Sequence, residues 1–132
     1  MPIEFDVRQG AIVLNTQQEP PTKWLVIEVP LNTEMPNGVI VAPFGKNDNG
    51  QDVVLEQEGT LHGQNMLPTM EHLTTPQMIA GRRRALFATE HAAQPDLNTD
   101  TVLHNIEPDT QAFIERLSTA PKGPKTLRRE TV

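Results

Sequence analysis

The stretch Lys-Trp-Leu-Val-Ile-Glu-Val at positions 23–29 places the strongest constraint on the fold of this chain. Branched and aromatic side chains dominate it, and such side chains suit the pleated surface of a β-sheet. Alternation points Leu25, Ile27 and Val29 to one face of the strand, while Val26 makes the opposite face apolar as well. A strand that is apolar on both faces is typical of the interior of a sheet. We therefore predict an inner strand covered on both sides.

Other short apolar runs on both sides of this stretch predict further strands. They are Ile3–Val7, Ala11–Leu14, Val39–Ala42 and Val53–Leu55. Asn-Gly pairs at 37–38 and 49–50 are strong turn signals between such runs, and the second indicates a hairpin. The first 59 residues thus predict a mostly antiparallel β meander of about five strands.

The pattern changes after Gly59. Residues 60–73 show neither a strand nor a helix period and contain glycine and proline, which predicts a connection. Thr74-Thr75-Pro76 is a helix start, and this helix should end near Ala92.

A second helix should open at Pro108-Asp109 after a polar loop, with an apolar stripe formed by Phe113, Ile114 and Leu117. The expected class is α+β, in which residues 1–59 form a β-rich body. Residues 60–120 are a connection and two helices packed on that body in the same domain, and residues 121–132 are a basic extended tail.

Composition narrows the functional classes. Hydrophobic residues make up 36% of the 132 residues, below the roughly 45–50% usual for globular proteins, so the core should be thin. The absence of cysteine excludes disulfides and thiolate metal sites. No apolar run is long enough to span a membrane and the N-terminus lacks a signal peptide, so we expect a soluble chain synthesised in the cytoplasm.

Charge is distributed unevenly along the chain. The net charge is −6, but the tail from Pro121 carries +3, so the remainder carries −9. An acidic body makes nucleic acid an unlikely partner.

Residues with catalytic chemistry are scarce. Ser118 is the only serine, and nothing in the sequence places a base beside it. No pair of histidines has the spacing of a metal-binding helix face, although His62 and His72 could meet with Glu71 across the fold. The Asn47–Asp52 segment has the wrong glycine position for a calcium loop and fits a hairpin turn. We therefore predict no enzyme, no metal site and no cofactor.

Three consecutive arginines, Arg82, Arg83 and Arg84, are the most distinctive feature of the first helix. Arg82 and Arg83 fall between the margins of its apolar side, whereas Arg84 lies opposite. An arginine beside an apolar stripe can lay its stem along the core and extend its head to water. Alternatively, the three heads bind carboxylates on a partner or on another copy of this chain. Phosphate binding is a third possibility, which the acidic body disfavours.

The tail carries a second group of cations: Lys122, Lys125, Arg128 and Arg129. With nothing to bury, it should be an extended arm, and its removal should leave the melting temperature nearly unchanged. A solvated end, an arm crossing onto a neighbouring subunit and a nucleic-acid contact are the alternatives. We predict that these four residues and the arginine cluster contact neighbouring protein subunits.

These observations favour an interaction protein. The main hypothesis is a non-enzymatic structural subunit of a large homo- or hetero-oligomeric assembly, with a virion component such as a capsid decoration or head-to-tail joining protein as its concrete form. A small acidic regulator or inhibitor that binds one protein partner is the first alternative. A small enzyme with a site built from His62, His72 and Glu71 is the second.

Overall fold

The computed structural model describes residues 2–31, 35–93 and 98–130, and its class is α+β, as predicted. Its strands are β1 (Pro2–Val7), β2 (Ala11–Asn15), β3 (Thr22–Glu28), β4 (Gly38–Lys46), β5 (Asp52–Val54), β6 (Gly59–His62), β7 (Met66–His72) and β8 (Lys125–Glu130). Two helices, α1 (Thr75–Ala93) and α2 (Thr99–Thr119), separate β7 from β8. No helix in these ranges is long and apolar enough to cross a membrane.

The strands form two antiparallel sheets. The larger has the order β5-β4-β3-β2-β7, with β6 pairing to β4 beside β5, and the smaller is a ribbon of β1 and β8. A single 3₁₀ turn, Gly63–Asn65, joins β6 to β7. The chain takes four residue steps from His62 at the end of β6 to Met66 at the start of β7, a distance of at most about 14 Å. Because β6 and β7 lie at opposite ends of the larger sheet, these ends are close together and the sheet is strongly curled.

The inner strand is β3, and both of its faces are covered, as its sequence predicts. Leu25 and Ile27 pack with α1 and α2, whereas Val26 packs on the other face with the β1–β8 ribbon. Val29 was expected beside Leu25 but belongs to the ribbon-facing cluster. The reason is an irregularity in the β3–β4 register between Val26 and Glu28, which changes the face on which the following side chains lie.

The expectation of an irregular connection over residues 60–73 is wrong, because β6 and β7 occupy this stretch. The strands were not predicted because Gly63 and Pro68 were interpreted as signs of an irregular connection. Gly63 lies in the turn, where an added Cβ would meet the carbonyl oxygen of Arg128 at 2.6 Å. Pro68 lies on β7, an edge strand of the described sheet, where proline is tolerated.

The first helix has the predicted bounds within a residue, but the second begins nine residues before Pro108, at Thr99. The Asn98 side chain accepts a hydrogen bond from the backbone N–H of Thr101 at 2.8 Å and caps the helix. Pro108 lies inside the helix, where it has no N–H to donate to the carbonyl four residues earlier. Of the predicted stripe, Phe113 and Leu117 are buried against the sheet, whereas Ile114 is only half-buried.

The tail is extended, but the expectation that it has nothing to bury is wrong. Strand β8 pairs with β1 over six residue pairs, from Pro2–Glu130 to Val7–Lys125. Leu127 is 0% exposed and lies in the same apolar cluster as Val7. The tail therefore belongs to the fold of its own chain.

Candidate functional site

The arginine cluster lies where α1 meets α2 and the β4–β5 hairpin, and its three side chains point in three directions. Successive residues of a helix are about 100° apart, so they reach different neighbours. Arg82 is buried, with 6% of its surface exposed, and its guanidinium lies 4.1 Å from the centre of the Phe113 ring. The expectation that its head extends to water is therefore wrong.

Arg83 and Arg84 remain partly exposed and bind two different elements. The Nε of Arg83 lies 3.3 Å from a carboxylate oxygen of Glu107 on α2. The Nη1 of Arg84 donates to the backbone carbonyl of Asp52 at 2.7 Å, on the β4–β5 hairpin. Arg84 thereby ties the hairpin to α1 and fixes the width of the space between them.

This space is a groove along α1, which we call the hairpin–helix groove. It consists of two open cavities of about 360 and 400 Å³ that share Gln51 and Arg84. The groove is lined by Lys46, Asn47, Asn49, Gly50, Gln51 and Asp52 of the hairpin, Pro76, Gln77, Ala80, Arg83, Arg84, Phe87 and Ala88 of α1, and Leu103 and Ile106 of α2.

The hairpin side of this groove is the turn that the sequence predicts. The Asn47 side-chain oxygen accepts from the backbone N–H groups of Asn49 and Gln51, at 3.0 and 2.9 Å. The segment thus uses its side-chain oxygens to close its own turn.

Charge and apolar surface are combined in the groove. Lys46, Arg83 and Arg84 are lining cations, and Asp52 is the one lining acid. Leu103, 40% exposed, contributes apolar surface beside the arginines. Lys46 forms an ion pair with Asp52 at 2.6 Å, and Arg83 is paired with Glu107, so two of the three cations have a carboxylate partner within the chain.

On the other side of α1 lies a network that sequence reasoning missed. Arg116 of α2 forms ion pairs with Glu28 of β3, at 3.3 Å, and with Glu58 before β6. Burial lowers the pKa of the nearby Arg82 from its ordinary value, and the charges of Glu58 and Glu56 oppose that effect. No local pattern in the sequence connects Glu58 to an arginine more than fifty positions away.

The tail cations also have contacts within the chain. The Nζ of Lys125 donates to the carbonyls of Pro30 at 2.5 Å, of Gly38 at 2.9 Å, and of Met35. Lys122 donates to the carbonyl of Ser118 at the end of α2, 2.9 Å away.

Arg129 donates to the carbonyl of Met66 at 3.3 Å, and Arg128 lies beside Glu4 and Glu130 on the ribbon surface. These contacts fix the tail, and a role of its cations in binding a partner stays a prediction.

The histidines considered for a catalytic or metal site lie on different strands. His62 ends β6 and pairs with Gly38 of β4, whereas His72 ends β7 and pairs with Ala11 of β2. Both are exposed. Within the described ranges, no group of three or more histidine, aspartate and glutamate side chains is arranged to hold a metal ion.

No protein-family model, no curated protein and no solved structure matches this chain.

Proposed function

We propose that this chain is a non-enzymatic structural subunit of a protein assembly, in which the hairpin–helix groove of one copy receives a segment of the next copy. The observation that supports the proposal is the groove itself. It places Lys46, Arg83 and Arg84 around an apolar floor on a chain with a net charge of −6. Cations that can exchange an exposed carboxylate of their own chain for one of another copy make this groove complementary to the acidic body.

The segment that best fits this groove lies on β7. Residues 69–71 form an irregularity opposite Ile12, where the β2–β7 register shifts. Met70 projects from it with 95% of its surface exposed, beside the carboxylate of Glu71. Thr69 holds the backbone in place by donating from its hydroxyl to the carbonyl of Ile12 at 2.5 Å. An apolar knob next to an acid complements an apolar groove next to arginines.

Two features of β7 favour side-chain docking over strand pairing. The bulge and Pro68 both disrupt the free edge of the strand, and such features discourage edge-to-edge association. Glu71 is held by one exposed ion pair, with Lys23 at 3.3 Å. Exposed pairs contribute at most about 1 kcal/mol, so Glu71 is free to exchange this partner for an arginine.

A contact between two different surfaces of the same molecule is heterologous, and it generates rings or open filaments. This property suits a subunit that repeats in an assembly, and a capsid decoration or head-to-tail joining protein is the concrete form of the proposal. In the tail, Lys122 and Arg128 are exposed and would supply additional contacts. Lys125 and Arg129 already bind backbone carbonyls of their own chain.

Sedimentation velocity over a range of protein concentrations tests the proposal. We expect the wild-type chain to form oligomers of increasing mass, and either Met70→Ser or the double variant Arg83→Glu/Arg84→Glu to remain monomeric. Arg8→Glu is the matched control, since it inverts an exposed arginine outside both the groove and the tail and should oligomerise normally.

Mixing the two defective variants gives a sharper result. The Met70→Ser copy retains its groove and the arginine double variant retains its knob, so the mixture can form one contact and should stop at a heterodimer. If the mixture stays monomeric while the wild type assembles, the contact involves other surfaces and the knob-and-groove model is wrong.

The acidic regulator or inhibitor is the second candidate, and the −9 charge outside the tail is the observation that favours it. It requires a chain that remains a monomer or dimer. A wild-type chain that stays monomeric at every concentration would therefore reject homomeric assembly and favour this alternative.

A further inference from the structure

Strand β1 has an outer edge to which no other described strand is paired. It pairs only with β8, and its residues Pro2, Ile3, Glu4 and Asp6 are exposed. The backbone groups of a strand point alternately to its two sides, so some of those in β1 face β8 and the others face away from it. An unpaired row of N–H and C=O groups is a template for a further strand.

The contacts of β8 identify which groups of β1 face outward. The Arg128 N–H donates to the side-chain oxygen of Asn37 at 2.7 Å, and the Arg128 carbonyl accepts from the Asn37 amide at 2.9 Å. Arg128 therefore points its backbone groups away from β1. Its neighbour across the ribbon is Glu4, whose backbone groups must then point away from β8. Asp6 lies two residues further along and has the same orientation, so both residues present free backbone groups within the described ranges.

Two other strand edges of the molecule are closed or disrupted. The outer edge of β8 is covered by the side-chain amides of Asn37 and Gln64, which bind its backbone. The free edge of β7 is interrupted by Pro68 and by a register shift. In β1, proline occurs only at the first residue, Pro2, where a strand tolerates it. The edge of β1 is therefore regular enough to accept a strand.

The side chains of β1 select the partner by charge. Glu4 and Asp6 lie on the outer face of the ribbon, whereas Phe5 packs toward the sheet. Strand β8 shows which chemistry this pattern accepts, since it places Arg128 opposite Glu4. Its apolar Leu127 lies opposite Phe5. A strand on the open side of β1 would lie beside the same acids, so basic residues that alternate with apolar ones are favourable there.

Another copy of β1 is a poor occupant of this edge. In the antiparallel register that overlaps residues 2–6 completely, Glu4 would lie opposite its own counterpart, and like charges in that position are destabilising. Pro2 would also provide no N–H for Asp6. The acids thus act against pairing of the edge with itself and leave it to a strand of opposite charge.

We propose that the outer edge of β1 binds an extended segment of a protein partner in which lysine or arginine alternates with apolar residues. The segment adds antiparallel to β1 and bonds to the backbone of Glu4 and Asp6, with its basic side chains beside the two carboxylates. Its apolar side chains pack against Ile3, which is 47% exposed, and the half-buried Phe5. In this mode the main-chain bonds provide affinity and alternate side chains provide specificity. The site is separate from the hairpin–helix groove and does not depend on the proposed assembly.

The test is amide hydrogen exchange of the ¹⁵N-labelled chain with the synthetic peptide acetyl-Thr-Arg-Val-Lys-Val-Arg-Thr-amide. In the free protein, the amides of Glu4 and Asp6 should exchange rapidly, whereas that of Phe5, which faces β8, should be protected. Saturating peptide should slow exchange at Glu4 and Asp6 by about tenfold or more. The control peptide, acetyl-Thr-Arg-Lys-Arg-Val-Val-Thr-amide, has the same composition without the alternation and should leave both amides unprotected.

Three results would overturn the proposal. If the alternating peptide does not slow exchange at Glu4 and Asp6, no strand adds to this edge. If the control peptide protects both amides equally, the edge does not select an alternating segment. If both amides are already protected in the free protein and lose this protection on dilution, another copy of the chain occupies the edge.

Variants separate the contribution of charge from that of the backbone. Glu4→Gln/Asp6→Asn keeps the shape of the strand and removes both carboxylates, so the peptide should bind about fivefold more weakly. Glu4→Pro removes one outward N–H and none that faces β8, so binding should be lost while the melting temperature stays near that of Glu4→Gln. Equal binding by Glu4→Pro and Glu4→Gln would contradict backbone pairing.

Modified peptides give the same test without changing the protein. In the proposed antiparallel pairing, the basic residues of the peptide lie opposite Glu4 and Asp6 and point their N–H groups to β1. N-methylation of these basic residues should therefore abolish binding, whereas N-methylation of the valines should preserve it. If both methylated peptides bind equally well, the contact is made by side chains alone and the proposal is wrong.

Discussion

The packing of the tail is the most direct structural claim to test, and Leu127→Ala is the change that tests it. The Leu127 side chain is 0% exposed and lies in a cluster with Val7, Val26 and Met66. Truncation of a fully buried leucine to alanine removes its transfer free energy and leaves a cavity, which together cost 2–5 kcal/mol in known cores. We expect a loss of about 3 kcal/mol in the free energy of unfolding.

This loss predicts a large fall in melting temperature. With an unfolding entropy of about 2.1 cal/mol/K per residue, a chain of 132 residues should lose about 11 °C. The single tryptophan, Trp24, packs against the same apolar cluster, so its fluorescence reports unfolding in thermal and urea titrations. The urea titration gives the free energy directly, provided that the slope is unchanged.

Ile3→Ala is the matched control, because Ile3 lies on the same β1–β8 ribbon but is 47% exposed. It should cost less than about 1 kcal/mol, or a few degrees. Equal melting temperatures for Leu127→Ala and Ile3→Ala would show that the ribbon does not cover the sheet, and the described packing of β8 would be refuted.

Removal of residues 121–132 should destabilise the chain more than Leu127→Ala does, which reverses the expectation from sequence. The backbone carbonyls of Pro121 and Lys122 accept hydrogen bonds from Val29 at 3.1 Å and Gln9 at 2.8 Å. Truncation leaves both donors without partners in addition to removing Leu127.

Three further changes test individual contacts by urea denaturation. Gly10→Ala should lower the free energy of unfolding by more than about 2 kcal/mol, because Gly10 has a φ of +97° and a new Cβ would lie 2.5 Å from the Leu73 carbonyl oxygen. Gly59→Ala is its control, since nothing lies near the new Cβ, and should lower it by less than about 1 kcal/mol. Lys125→Met should cost about 1–3 kcal/mol, since three carbonyls lose their donor, and an unchanged midpoint would contradict those bonds. Arg116→Met should cost about 1–2 kcal/mol through the loss of its ion pairs, and a gain in stability would contradict them.

The elements that sequence predicted are those whose signals are local. Strand β3 was found because its side chains are apolar on both faces, and the β4–β5 hairpin because Asn49-Gly50 favours a tight turn. The start of α2 was missed because Pro108 was taken as a first helical residue, although Asn98 is a suitable cap. A proline well inside a helix is uncommon, so Pro108 was preferred over Asn98 as the start of the helix.

Features that depend on distant pairing were not accessible from the sequence. Strand β8 has one apolar side chain, Leu127, among five polar ones, and its pairing with β1 joins residues more than a hundred positions apart. The candidate site likewise combines a feature visible in the local sequence with features that depend on distant residues. The arginine cluster was identified from its own sequence, but its groove depends on the hairpin and the burial of Arg82 depends on Phe113 of α2.

Replacing an arginine of the cluster by glutamate is expected to unfold the chain at Arg82 but only to weaken association at Arg83 and Arg84. The variants that test the assembly must therefore leave Arg82 unchanged. Arg82→Glu would place a negative charge in a buried position near Glu58 and Glu56, so loss of the fold is the expected result. Arg83 and Arg84 are partly exposed, and reversal there leaves a charge that water can solvate. A variant that includes Arg82 would confuse unfolding with lost association, whereas Arg83→Glu/Arg84→Glu separates them.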